Sequence, residues 1–210
     1  MSYKCVIFDF DGTLANTENV IFVVYNQIAR KYGYKEITHE YIDELKRQPI
    51  HNIAKDLGVP YLKIFSLMKK GQKLMKEHHK SMDPYEEDIK DILINLKSNL
   101  KYMGIISSNT KKNINNFLKN ENIDNMDFII SSPLFSKEIK INKIKKKLKL
   151  EDDEILYVGD EVRDIVSAHK ANISIASVTY GYNTKEYLST ENPTYFIDSL
   201  TELLDIVKNS

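Results

Sequence analysis

Two carboxylates one residue apart, Asp9 and Asp11, stand directly behind the apolar run that follows Lys4, namely Cys5-Val6-Ile7-Phe8. A continuous rather than alternating run reads as a strand buried on both faces, as in a parallel sheet. Carboxylates at its end would sit at the carboxyl edge of a central strand, where open α/β sheets place their ligands. Gly12 lets the chain turn and lets backbone N–H groups approach an anion, and such groups suit a phosphoryl oxygen. An acidic turn can simply end a strand, but the string Asp9-Phe10-Asp11-Gly12-Thr13 is more specific than that reading requires.

Three further segments repeat the pattern of an apolar run that ends on chemistry. In Val158-Gly159-Asp160-Glu161-Val162-Arg163-Asp164 the acids gather where a strand gives way to a helix. Hard oxygen ligands of this kind suit Mg²⁺. Taken alone, the segment also reads as a helix capped by Asp160 with Glu161 in the first turn. Beside Asp9 and Asp11, however, like carboxylates at one edge would repel and call for a cation. In Ile105-Ile106-Ser107-Ser108-Asn109-Thr110 a hydroxyl and an amide open a helix and could hold phosphate or serve as a plain cap. The last is a lysine placed after Ser131-Ser132-Pro133-Leu134-Phe135-Ser136, with Lys137 the candidate and Lys140 its rival. A point cation there would neutralise phosphate and carboxylate alike.

These four segments need a scaffold that brings strand ends together. Strands are predicted over 4–8, 102–107, 127–130, 155–158 and 173–178. Helices are predicted over 87–96, 110–120, 138–148, 163–171 and 200–207. Strands and helices that alternate in this way imply an α/β fold with a doubly wound, Rossmann-like parallel sheet. Residues 16–82 lack a convincing strand and carry helical patterns over 20–32, 40–46, 50–57 and 61–79, punctuated by Pro49, Gly58, Pro60 and Pro84. The expectation is a core of 1–15 and 83–210 with an all-helical cap of 16–82 inserted after the first strand.

Composition excludes several classes. A chain of 210 residues holds one large domain or one domain with an insertion. Its 42% hydrophobic content is too high for a disordered chain. The single cysteine, Cys5, rules out an internal disulfide and a Cys-rich zinc site. No apolar run approaches a membrane span, and the first residues do not read as a secretory leader, so a soluble cytoplasmic protein is expected. With 30 basic and 30 acidic residues the charge balances, and no nucleic-acid or membrane partner is expected. The lysine-rich stretch from Lys137 to Lys149 reads as a solvated helix face, since no aromatics interleave it.

The four segments together resemble the haloacid dehalogenase-like (HAD) phosphohydrolase superfamily over nearly the whole chain. Its DxDxT string matches Asp9, Asp11 and Thr13. Its strand-ending Ser or Thr matches Ser108, with Ser107 the alternative, its lysine matches Lys137, and its GDxxxD matches Gly159, Asp160 and Asp164. The helical insertion is similar to the C1 cap of the phosphoglycolate phosphatase-like branch, and Val178-Thr179-Tyr180-Gly181-Tyr182 is similar to a segment common there. The chain departs from that branch at Leu14-Ala15-Asn16-Thr17, at Pro84-Tyr85-Glu86-Glu87 and at Lys137-Glu138.

The resemblance implies Asp9 as nucleophile, Asp11 as general acid and base, and Lys137 as the catalytic cation. It implies Mg²⁺ at Asp9, Asp11 (through its backbone carbonyl), Asp160 and Asp164. Gly12, Thr13, Ser108 and Asn109 would bind substrate. Independently of the resemblance, Arg47 and His51 flank Gln48-Pro49-Ile50 in a helix-helix turn and are candidate contacts from the cap, although each also reads as an ordinary surface residue. The implied substrate is a small phosphorylated metabolite, with no protein partner. A phosphosugar mutase of the β-phosphoglucomutase type shares the first chemical step. A phospho-accepting receiver-like module shares the Asp, Ser/Thr and Lys, but needs neither Asp11 nor a cap.

Overall fold

Cys5, Val6, Ile7 and Phe8 have no polar side chain, so exposing either face of this segment to water would be unfavourable. The computed structural model describes residues 2–77, 82–133 and 136–209, and buries all four completely. In chain order the elements begin with β1 (Cys5–Phe8), β2 (Ala15–Asn16) and helices α1 (Glu18–Tyr32), α2 (His39–Leu45), α3 (Ile50–Asp56) and α4 (Ile64–Leu74). They continue with β3 (Asp83–Pro84), α5 (Ile89–Ser98), β4 (Tyr102–Ser107), α6 (Lys111–Asn120), β5 (Phe128–Ser131) and α7 (Lys137–Leu148). The last are β6 (Ile155–Gly159), α8 (Val162–Lys170), β7 (Ser174–Val178), α9 (Lys185–Leu188), β8 (Tyr195–Ile197) and α10 (Leu203–Asn209).

Six strands form one sheet in the order β5-β4-β1-β6-β7-β8, and every neighbouring pair is parallel. After β1 the chain first builds outward through β4 and β5, then returns to the other side of β1 for β6. That reversal is the switch point at which open sheets leave a crevice beyond their carboxyl ends. Because the strands run the same way, the turns after β1, β4, β5 and β6 all emerge at one edge.

The two-residue period of β1 divides the core. Val6 and Phe8 pack with α5, α6 and α10 through Leu93, Phe117 and Leu203. Cys5 and Ile7 face the other way, against Ile141 of α7 and Ile165 of α8. Helices on both faces therefore cover a sheet whose central strands have no solvent side. Among the described residues no helix is long and apolar enough to cross a membrane.

The predicted elements appear with ends shifted by one to three residues, and several features differ. β8 was not expected: Tyr195-Phe196-Ile197 follows Pro193 and is too short to show a period, and its pairing with β7 decides it. The predicted helix over 61–79 begins as a 3₁₀ turn at Tyr61–Lys63 before α4, and His78 and His79 lie outside the described residues. Leu134 and Phe135, ahead of Lys137, also lie outside them. The all-helical stretch is bracketed by a two-stranded antiparallel ribbon, with Ala15 opposite Pro84 and Asn16 opposite Asp83. Entry and exit of the stretch thus sit side by side.

Gly104 in β4 shows how closely the sheet is covered. A Cβ there would lie 2.4 Å from the Phe128 ring. Gly104→Ala should therefore lower stability by about 1–3 kcal/mol, the usual cost of overpacking. Denaturant unfolding should show a lower midpoint with an unchanged slope.

Candidate active site

The nucleophile-loop candidates are held by a turn that closes on one carbonyl. The N–H groups of Thr13, Leu14 and Ala15 all donate to the Phe10 carbonyl, and Gly12 N–H donates to the Ala15 carbonyl. Gly12 has φ +80°, and a Cβ on it would lie 2.1 Å from Asp160 Oδ2, so the position requires glycine on both counts. Asp9 is buried, with Phe10 N–H donating to its Oδ1 at 2.7 Å.

Lys137, the first residue of α7, is 3% exposed and donates to both Asp9 Oδ2 and Asp164 Oδ1, the latter at 2.5 Å. Its Nζ also lies over the buried Tyr157 ring. Burial disfavours its charge, but Asp164 and Asp9 outweigh that and hold it well above the ordinary lysine value. Lys140 is only half-buried on the same helix.

Asp160 does not cap α8. Glu161 does: it forms a capping box with Asp164, whose Oδ2 accepts from Glu161 N–H at 3.3 Å. Asp160 is thereby free to face the nucleophile loop. It accepts from Thr13 Oγ1 at 2.8 Å and from Tyr182 N–H at 2.8 Å. Asp9, Asp160 and Asp164 each present a carboxylate oxygen within 4.8 Å of the others. Burial, then Glu161 and Asp9, push Asp160 well above the usual carboxylate range. Burial likewise lifts Asp164 to about 6, against the pull of Lys137. Three buried carboxylates face one lysine, and this excess negative charge, carried on hard oxygens, fits a divalent cation such as Mg²⁺.

Asp11 faces elsewhere. Asn109 Nδ2 donates to its two oxygens at 2.9 and 3.0 Å, and Thr17 Oγ1 donates at 3.0 Å. Thr17 has one hydroxyl proton, so the adjacent Tyr182 hydroxyl donates to Thr17 in turn. Asn109 is itself oriented by Thr110 N–H and Asn113 Nδ2, both of which donate to its Oδ1. Burial, reinforced by Asp9, raises Asp11 to about 7 despite these donors.

The remaining expected residues divide. Ser107 is fully buried and its Oγ accepts from Asn109 N–H, whereas Ser108 lines a cavity between the helical stretch and the sheet edge. Asp11, Asn109 and His51 line the same cavity. Arg47 is exposed, outside that lining and within electrostatic reach of Glu186. Sequence reasoning missed Thr17 as a partner of Asp11, Tyr182 as the donor to Thr17, and Arg163, whose Nε and Nη2 donate to Glu161 Oε2. The Tyr180-Gly181-Tyr182 string carried one available signal: a Cβ on Gly181 would lie 2.2 Å from Asp160 Cβ.

A family model described as haloacid dehalogenase-like hydrolase matches residues 6–178. The chain belongs to this family. A phosphoglycolate phosphatase of Synechococcus elongatus is 25% identical over 206 residues, which cover 97% of each chain. A pyrophosphatase of Bacillus anthracis is 23% identical and covers 100% of this chain and 98% of its own. Among solved structures, a haloacid dehalogenase-like hydrolase of Streptococcus pneumoniae superposes with a TM-score of 0.81 at 20% identity, over 97% of this chain and 98% of that one. The doubly wound sheet of this hydrolase is thus the family's fold, and all four of its strand-end segments lie at a single edge.

Lys137→Met should cost about 3–5 kcal/mol of stability at neutral pH, because it strands Asp9 and Asp164 as buried charges without a partner. Denaturant unfolding of metal-free protein measures it, and a loss below about 1 kcal/mol would contradict the pairing.

Proposed function

We propose that this hydrolase is a Mg²⁺-dependent phosphatase that cleaves phosphate monoesters of small molecules through an aspartyl-phosphate on Asp9. One observation carries the reading. Two carboxylates two residues apart are given opposite environments: Asp9 is paired to Lys137, while Asp11 lines the cavity with a pKa near neutrality. Acids held in such different surroundings can divide the role of nucleophile from that of general acid. The relatives named phosphoglycolate phosphatase and pyrophosphatase support phosphate as the group transferred.

In the first half-reaction an Asp9 oxygen attacks phosphorus, the ester P–O bond breaks, and the Asp11 proton passes to the departing alkoxide. In the second, water attacks the same phosphorus, its proton returns to Asp11, and Asp9 leaves as a carboxylate. Ser108 and Lys137 hold phosphoryl oxygens, while Gly12 and Thr13, whose N–H groups donate within the turn, shape the loop that carries Asp9 and Asp11. Asn109 and Thr17 aim Asp11. Asp9, the Asp11 carbonyl and Asp160, with Asp164 in support, would hold Mg²⁺, which would neutralise charge between nucleophile and phosphate dianion.

Residues 16–82 serve in this account as a cap, and 1–15 with 83–210 as the core. The β2–β3 ribbon places both connections beside the nucleophile loop, where small rotations can open or close the cavity. A closed cap encloses a metabolite and leaves no exit for a polypeptide. On a folded phosphoprotein, kcat/KM should therefore fall at least about 100-fold below the best metabolite in a panel, a difference that conformational gating can supply. Equal turnover would remove the cap from the account.

Asp9→Asn should abolish turnover on the scale of about 10⁶ while the protein stays folded, since an amide is no nucleophile. Asp11→Asn should cripple hydrolysis of alkyl phosphates, yet spare much of the rate on p-nitrophenyl phosphate, whose leaving group departs without a proton. Steady-state phosphate release checks both. Mg²⁺ should also raise the unfolding midpoint of chelator-treated wild type, by linkage of about 2.7 kcal/mol at a hundredfold excess over Kd. No shift, together with full activity in chelator, would exclude the metal.

A further inference from the structure

The cavity that Asp11, Ser108 and Asn109 line has a volume of about 620 Å³. Asp9 is not part of its wall. The general acid therefore faces the cavity while the nucleophile lies behind, and whatever is attached to the leaving oxygen must extend into this space. The far walls come from all four helices of the cap. Phe22 of α1, Ile42 of α2, Ile50 and Ile53 of α3, and Leu67 and Met68 of α4 line it, and all six are only partly buried. Ile50, Ile53, Leu67 and Met68 also pack against Ala54, Leu57, Val59 and Ile64, and the faces they leave uncovered inside the cleft are open to a ligand.

Charge in the walls points the same way. Two cations in the lining have carboxylate partners: Lys46 pairs with Glu18 at 2.5 Å, and Arg163 donates its Nε and Nη2 to Glu161 while its buried Nη1 has no partner. The third, Lys170, is exposed at the C-terminal end of α8. A second anion on the substrate would face those carboxylates and find a single unpartnered buried donor at Arg163 Nη1. Size argues likewise: a cavity of about 150 Å³ already encloses benzene, and this one falls within the roughly 300–1,000 Å³ of pockets that enclose drug-sized ligands.

Building on the phosphatase reading, we propose that the preferred substrate is the phosphate monoester of a bulky, largely apolar alcohol. A two-carbon acid or a second phosphate, the groups in the names of the relatives, would leave most of the apolar wall against water. The hydrolytic step is unchanged: the ester P–O bond breaks, Asp11 supplies the alcohol's proton, and water supplies the oxygen of free phosphate.

The test is kcat/KM for phosphate release from straight-chain alkyl phosphates, ethyl through octyl, below their micelle concentrations and with Mg²⁺ present. Charge and leaving-group basicity are nearly constant along the series, so chain length isolates the cavity. The value should climb by roughly fourfold per methylene until the cavity fills, and the longer members should exceed phosphoglycolate and pyrophosphate. Met68→Trp, which occupies part of the space, should move the optimum to a shorter chain. The wild-type series stands by itself if that variant does not fold. A flat profile, or a best substrate among phosphoglycolate and pyrophosphate, overturns the inference and leaves the phosphatase reading intact. No phosphate release from any ester, p-nitrophenyl phosphate included, overturns both.

Discussion

Everything at the carboxyl edge of the sheet follows from placing Asp9, Asp160 and Asp164 within 4.8 Å of one another, all buried, with Lys137 as the cation bonded to two of them. Like charges out of water repel strongly and are costly to desolvate. Such a cluster persists only if a rigid frame holds it and opposite charge answers it. The frame is the central pair β1 and β6, whose register puts Phe8 beside Val158, so that Asp9 emerges level with Gly159 and Asp160 follows one residue beyond. The answer is Lys137 from one helix start, hydrogen bonds from Thr13 and Tyr182, and room for a cation. Loss of any of these leaves negative charge that the rest cannot offset.

The same crowding separates the two acids of the loop after β1. Asp9 points into the cluster, whereas Asp11 turns away toward Asn109, Thr17 and the cavity. Gly12 makes this possible. Its positive φ turns the chain, and its missing side chain admits Asp160. Gly181 performs the second service from the opposite side, so Asp160 is clasped between two glycines 169 positions apart in the chain. Two loops and one carboxylate form a unit that tolerates no added carbon.

Much of this was legible in the sequence. Buried parallel strands show as apolar runs, and each ended on a residue with chemistry, so the edge and its main occupants could be named. Asp9, Asp160, Asp164 and Lys137 do meet there, and Asp11 lines the adjoining cavity. Other pairings were not legible. Thr13 reaches Asp160 and Tyr182 reaches Thr17 across more than a hundred residues, and no local period encodes such contacts. The sequence offered Asp160 as the cap of α8 with Glu161 in the first turn, but Asp160 is engaged by Thr13 and Tyr182 and the cap falls to Glu161. β8 was missed because three residues cannot display an alternation. Arg47 and His51 straddle one helix-helix turn, and only the packing of α2 and α3 shows that His51 lines the cavity and Arg47 does not.

The covalent step is the centre of the account, and trapping it tests the account most directly. Wild-type enzyme mixed with p-nitrophenyl phosphate and Mg²⁺, quenched in acid during turnover, should carry one added phosphoryl group in its intact mass. Peptide mapping should place that group on Asp9, and neutral hydroxylamine should remove it. Sustained phosphate release with no phosphorylated protein at any quench time, or with the group on another residue, would contradict the account.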